Sequence, residues 1–170
     1  AGALQKDLGV KKGDRVALLL PNTPYFVIAY FAVLRTGATV VNCNPLYSLS
    51  ELSHMVSNAG ADVMITLDLK VTFDNAEKLV AQRLVKKLIV AHFPGVLPGL
   101  KKFLFKLVKG KDLARPAHSA AADAVIGFDD LIAKNLAPAP VEIDPEKDVA
   151  VQQYTGGTTG TPKGAMLSHA

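Results

Sequence analysis

The sequence predicts an α/β fold in which alternating βαβ units build a largely parallel layered sheet, and three observations support that prediction. Four short apolar runs, 15–20, 38–42, 62–67 and 87–91, are each bounded by turn residues, the pattern of strands covered on both faces. Stretches with helical periodicity separate these runs, and each return to a parallel neighbour needs such a crossover. The chain has 170 residues, 49% hydrophobic and 20% charged, which is enough for one core and too apolar for disorder.

Taken in order, residues 1–8 read as the end of an amphipathic helix (Ala3, Leu4, Leu8) closed by Gly9. The turn Lys11-Lys12-Gly13-Asp14 leads into Arg15-Val16-Ala17-Leu18-Leu19-Leu20, an uninterrupted apolar strand expected at the centre of the sheet. Asn22 or Thr23 can cap the next helix, with Pro24 in its first turn; Tyr25 through Arg35 is almost wholly apolar until Gly37 ends it. Strand 38–42 completes a βαβ unit. Ser50 is the expected cap of a helix running to Asn58, with Leu52, Met55 and Val56 on one face, and Gly60 stops it before strand 62–67. A helix from Asp74 to Leu84, with Leu79, Val80 and Leu84 inward, leads to strand 87–91. Residues 117–124 and 137–140, rich in alanine and proline, read as loose connection around a short helix from Phe128 to Leu136. No sequence repeat accompanies this architectural one.

Several function classes drop out on composition. Val16 to Leu34 carry no charge, but Pro21-Asn22-Thr23-Pro24 splits that run into two pieces too short to span a bilayer. The single cysteine, Cys43, excludes a disulfide framework and reads as a buried bystander compatible with a reducing compartment. The net charge of +4 is local: nine basic residues against one acid between Arg83 and Arg115 leave the remainder at −4, a basic patch on a mildly acidic protein. Nucleic acid is therefore not an expected partner. His54, His92, His118 and His169 show no metal-ligand spacing. No Ser/His/Asp set or paired carboxylate stands out.

The chemistry concentrates at the end of the chain. Pro145-Glu146-Lys147-Asp148 precedes a β-prone run through Val149, Val151 and Tyr154, which delivers the chain into Thr155-Gly156-Gly157-Thr158-Thr159-Gly160-Thr161-Pro162-Lys163-Gly164. That loop holds four glycines, four threonines, one lysine and no acid. Glycines let backbone N–H groups turn toward an anion, hydroxyls add neutral donors, and a lysine brings a mobile positive charge. The loop suits a polyphosphate. A Walker A motif fails at two fixed positions, because Pro162 precedes Lys163 and Gly164 follows it.

The run YTGGTTGTPKGAMLSH resembles the phosphate-loop signature of the adenylate-forming (AMP-binding) superfamily. Two further stretches resemble the same enzymes, GDRVALLLPN at 13–22 and VLRTGATVVNCNPLYSLSELSHMVSNAGADVMI at 33–65. Within the superfamily they are most similar to the bacterial long-chain fatty acid–CoA ligase (long-chain acyl-CoA synthetase) branch, NPLYSLSEL being the most branch-specific element. Between Phe93 and Ala139 the likeness fades. The resemblance implies that residues 1–170 are a partial N-terminal AMP-binding domain, truncated at both ends, with the rest of that domain and the whole C-terminal domain absent. The missing initiator Met and the stop six residues beyond Gly164 agree with that expectation.

What the resemblance implies chemically is a pair of half-reactions. A fatty carboxylate attacks the α-phosphorus of ATP to give acyl-adenylate and diphosphate, and the thiolate of coenzyme A then displaces AMP. ATP, Mg²⁺ and coenzyme A are the implied cofactors and co-substrates, and Thr155, Gly156, Gly157, Thr158, Thr159, Gly160, Thr161, Pro162, Lys163 and Gly164 the implied binding residues. Which threonine approaches the metal is left open. No residue of the chain is assigned as catalytic, and the 170 residues alone are expected to lack ligase activity. The alternatives are a ligase for a medium-chain or aromatic acid, or a non-catalytic nucleotide-binding or membrane-associated module. The implied location is cytoplasmic, with peripheral contact at the inner membrane face as an option; a homodimer is left open.

One variable segment has readable physics. In LKKFLFKLVKGK, Leu100, Phe103, Leu104, Leu107 and Val108 fall on one helical stripe, with Lys101, Lys102, Lys106 and Lys109 opposite and no acid among them. This is a surface helix docked on the domain, a contact for an anionic lipid interface or, last of the three, a nucleic-acid contact. His169 is expected on a helix following the loop, as a packing or capping residue, and Arg35 as a helix C-terminal charge.

Overall fold

The computed structural model describes residues 1–155 and 162–170, with every side chain except that of Lys106. Of the expected binding residues, Gly156, Gly157, Thr158, Thr159, Gly160 and Thr161 lie outside the described residues.

The runs between turn residues form strands β1 (Arg15–Leu19), β2 (Thr39–Asn42), β3 (Val63–Leu67) and β4 (Lys87–Ala91), joined by β5 (Val125–Gly127), β6 (Val149–Thr155) and β7 (Lys163–Ser168). They make one sheet in the order β5-β4-β3-β1-β2-β6-β7, parallel throughout except for the last pair. β1 is the middle strand, as its uninterrupted apolar run predicts: Val16, Ala17, Leu18 and Leu19 are all fully buried.

Because side chains alternate across a strand, β1 feeds two separate cores. Val16 and Leu18 pack with helices α1 (Gly2–Leu8), α2 (Pro24–Leu34) and α6 (Phe128–Ala133). Ala17 and Leu19 pack with α3 (Leu49–Ala59) and α4 (Lys70–Ala81) on the other face. The sheet is thus layered on both sides, as the alternation of elements requires. A further helix, α5 (Gly99–Lys109), lies between β4 and β5 in the chain.

Several boundaries differ from the sequence reading, each for a physical reason. The cap of α3 is Ser48, not Ser50: its hydroxyl accepts the N–H of Glu51, whose carboxylate accepts the N–H of Ser48, closing a capping box. A cap of this kind is worth about 1 kcal/mol. Thr23 occupies the N-cap position of α2 in extended geometry without a side-chain cap bond, so Pro24 at the first position sets that start. Helix α4 begins at Lys70 rather than Asp74, the Thr72 hydroxyl donating to the carbonyls of Leu67 and Leu69 across the first turn. It ends at Ala81, before Arg83 takes a positive φ of 59°. Helix α6 stops at Ala133, and Asn135 follows at φ 45°. Two strands lie beyond the sequence prediction: β5, three residues long, between the connection 117–124 and α6, and β7, where the sequence predicts a helix. His169 therefore follows a strand, and its Nε2 is buried without a partner among the described residues.

Among the described glycines, Gly37 alone is fixed by two constraints together. Its φ is 73°, and a Cβ would sit 2.8 Å from Val141 Cγ1, so a side chain would be strained and crowded at once.

Among the described residues no helix is long and apolar enough to cross a membrane.

Candidate functional site

The sequence-predicted loop is the connection of an antiparallel hairpin. Thr155 closes β6, Lys163 opens β7, and the two residues pair across the ladder. Both are exposed at the base of the loop. On the return side the Pro162 carbonyl oxygen lies 3.2 Å from His54 Nε2 on α3. That contact gives His54 a place in the site, which its sequence spacing did not show.

Beneath the loop β6 is anchored to the same helix. Tyr154 is 2% exposed; its hydroxyl donates to Asn58 Oδ1 at 2.6 Å, lies 3.2 Å from the Met55 carbonyl oxygen and accepts Gln152 Nε2 at 3.0 Å. Gly164 sits opposite Tyr154. A Cβ there would be 2.6 Å from Gln152 Nε2 and 3.0 Å from Tyr154 Cζ, so packing alone accounts for glycine at this position.

The N-terminal end of β6 is fixed by charge. Lys12 Nζ is 2.6 Å from Asp148 Oδ2 and donates to the Glu142 carbonyl at 2.9 Å, while Asp148 also accepts the Asp144 N–H at 2.7 Å. The hydrogen bond from Lys12, then that from Asp144, holds the Asp148 carboxyl below the usual carboxylate range. A depressed folded value means that the unfolded chain takes up the proton first as pH falls. The pair's contribution is therefore complete above the ordinary carboxylate pKa of about 4 and is lost progressively below it. Asp148→Asn is expected to lower the thermal midpoint at neutral pH, and the gap from the parent protein should close as unfolding is followed from about pH 4 downward. A gap independent of pH would show that the carboxylate charge is not involved.

Beside the hairpin the carboxyl ends of β1, β2 and β6 frame a groove of about 530 Å³, lined by Leu20, Asn22, Asn42, Asn44, Tyr47 and Gln153 among others. The chain leaves β1 for α2 on one face and β2 for α3 on the other, so the groove opens at a topological switch point, where open α/β sheets take ligands. Asn42 Nδ2 donates to Gln153 Oε1 at 2.9 Å, tying the two strand ends together. Sequence reasoning missed these amides. For Asn22 and Asn44 the neighbouring Pro21 and Pro45 mark where strands give way to turns, whereas Asn42 and Gln153 carry no such local signal. Cys43 also borders the groove, but burial pushes its thiol up to about 12; it is protonated at neutral pH and is no nucleophile.

Chemically, the described part of the loop supplies a hydroxyl and an ammonium and no carboxylate. That donor set fits a phosphate chain and offers little to a cation on its own. Among the described residues no group of three His, Cys, Asp or Glu is placed to hold a metal.

A long-chain-fatty-acid–CoA ligase of Bacillus subtilis (strain 168) is 40% identical over 167 residues, 95% of this chain and 28% of the relative. One of Escherichia coli O157:H7 is 38% identical over 172 residues, 99% of this chain and 30% of the relative. The chain thus spans under a third of the length of the relatives it matches. The crystal structure of a long-chain-fatty-acid–CoA ligase from Archaeoglobus fulgidus superposes with a TM-score of 0.69 at 25% identity, covering 99% of this chain and 27% of that one. The family model described as AMP-binding enzyme matches residues 1–170 throughout, and the chain belongs to that family.

Proposed function

We propose that this chain is the front part of the N-terminal AMP-binding domain of an ATP-dependent long-chain fatty acid–CoA ligase, and that its β6–β7 loop holds the phosphate tail of ATP. The observation that carries the reading is identity of 38–40% to proteins of that name along nearly the whole chain, joined to an acid-free Gly/Thr/Lys sequence that follows β6, whose Gln153 lines a switch-point groove.

The physical difficulty of the first half-reaction is charge, since a carboxylate must approach a polyanion. One carboxylate oxygen forms a bond to the α-phosphorus, the bond from that phosphorus to the bridging oxygen breaks, and diphosphate leaves with the electron pair. Donors around the β- and γ-phosphates offset the repulsion and stabilise the leaving group. We assign this to the backbone N–H groups of Gly156, Gly157 and Gly160, the hydroxyls of Thr155, Thr158, Thr159 and Thr161, and the ammonium of Lys163. Pro162 and Gly164 shape the return into β7. Mg²⁺, when bound, would neutralise further phosphate charge, and among the side chains of these residues only the threonine hydroxyls offer it an oxygen. The thiol of coenzyme A then takes the acyl group and releases AMP. A cytoplasmic location, with the protein peripheral at the inner face of the membrane, belongs to the same proposal; the assemblies open to it are monomer and homodimer.

The test is ATP–diphosphate exchange by the intact protein with acids of increasing chain length. Exchange that depends on long-chain acids is expected, followed by acyl-CoA formation when coenzyme A is added. Exchange driven only by aromatic or medium-chain acids would replace the substrate assignment, and no exchange with any acid would overturn the ligase reading.

A further inference from the structure

Helix α5 faces outward the opposite way from a helix docked by its apolar side. Leu100, Phe103, Leu104, Leu107 and Val108 are 74, 61, 49, 67 and 71% exposed, so the whole stripe lies in solvent. The helix is held from behind: the Phe105 ring packs on Phe93 with centroids 5.2 Å apart, and Lys109 borders the same small hollow as Phe93 and Phe105. The mount itself is well fixed. Buried Asp68, just beyond β3, accepts the Phe93 N–H at 2.8 Å and pairs with His92 Nδ1 at 2.5 Å, while its carbonyl accepts the Ala114 N–H after the helix. Both chain segments flanking α5 are therefore tied to one residue at the end of the sheet.

Charge says what covers the stripe. Helix α2 also leaves Val27, Ile28 and Phe31 exposed, yet it has no charged residue between Pro24 and Leu34, a neutral face suited to apolar protein. The stripe of α5 is accompanied by Lys101, Lys102, Lys106, Lys109 and Lys111, with no acid before Asp112. Burying that many lysines against protein without counter-charges would be costly. A surface that is apolar inside and anionic at its rim accepts both parts.

We propose that α5 is an interfacial docking helix for an anionic lipid surface, its apolar stripe seated at the acyl boundary and its lysines among headgroup phosphates. The helix is about 16 Å long and lies in the plane of the interface without crossing it. This deepens the peripheral location proposed above and is independent of which acid is activated. It places a membrane beside an outer end of the sheet, two strands away from β1 on the side opposite the β6–β7 loop.

The experiment is co-sedimentation of the intact protein with vesicles of phosphatidylcholine alone, or mixed in equal parts with phosphatidylglycerol. Phe103→Trp serves as a depth reporter, read as the difference from the unsubstituted protein. Pelleting with the mixed vesicles is expected, with a blue shift of the reporter and quenching by brominated lipid. Lys101→Glu, Lys102→Glu and Lys106→Glu together should cut partition on the order of a hundredfold, and high salt should weaken it. Leu104→Asp with Leu107→Asp should abolish the reporter's shift while leaving the unfolding midpoint unchanged, because both residues are exposed. The proposal is overturned if anionic vesicles pellet no more protein than neutral ones, or if the leucine variant still binds. It is equally overturned if the Trp reporter is already blue-shifted and shielded without vesicles, which would show that another part of the protein covers the stripe. None of these readouts depends on activity, so their failure leaves the ligase reading untouched.

Discussion

Lys163→Ala in the intact protein is expected to slow acid-dependent ATP–diphosphate exchange by a hundred- to a thousandfold, the order seen when one preorganised donor to developing negative charge is removed. The unfolding midpoint should hardly move. Lys163 contributes its backbone to the pairing with Thr155, which alanine preserves, and its side chain is exposed, so no packing is lost. In the proposed site the ammonium meets phosphate oxygens that carry more charge as the diphosphate departs, so its loss is expected to lower kcat together with kcat/KM. Lys163→Arg keeps the charge but replaces a compact ammonium with a planar fork, and an intermediate rate is expected. Exchange unchanged in the alanine variant would remove the lysine from the site. A large fall in the unfolding midpoint would instead assign it a structural part.

Most of this fold was legible because its signals are local and redundant. β1 through β4 announce themselves as apolar runs between turns, and the parallel order follows from the helices between them. The proposed phosphate loop stands out for another reason: it combines glycines, hydroxyls and a lysine with no acid, the donor set a polyphosphate calls for. What escaped has no local signal. Ser48 was passed over for Ser50 because the deciding partner is Glu51, and capping is a relation between two residues. The segment before His169, expected as a helix, has no strand alternation in Ala165, Met166 and Leu167; pairing with β6 makes it a strand, while Met166 and Leu167 stay 68 and 53% exposed. The stripe of α5 was read correctly as amphipathic, yet only its mounting through Phe105 shows which side faces out. The amides of the groove are brought together by strand order, since Asn42 and Gln153 are neighbours only once β6 has paired with β2.

Tyr154→Ala should produce the largest loss of stability of any single change near the site, about 3–5 kcal/mol, as for other large aromatic side chains removed from a core. The ring is fully enclosed in the core on the α3 and α4 face, and its hydroxyl serves Asn58, Gln152 and the Met55 carbonyl at once. Tyr154→Phe separates the two contributions. It keeps the ring and removes the hydroxyl, leaving the buried Gln152 amide and the Met55 carbonyl without that partner, at a cost of about 1–3 kcal/mol. Because Tyr154 precedes the loop directly and Gly164 packs on its ring, loosening β6 from α3 also releases both ends of the hairpin. Tyr154→Phe is therefore expected to raise the KM for ATP while the protein stays folded, and the methyl added on the other side by Gly164→Ala, crowded against Gln152 and Tyr154, should push on both and do the same. Chemical denaturation and exchange kinetics on the two variants decide it. If Tyr154→Phe lost stability yet bound ATP as before, the anchoring of β6 to α3 would be a matter of folding alone, and the loop would owe its shape to contacts of its own.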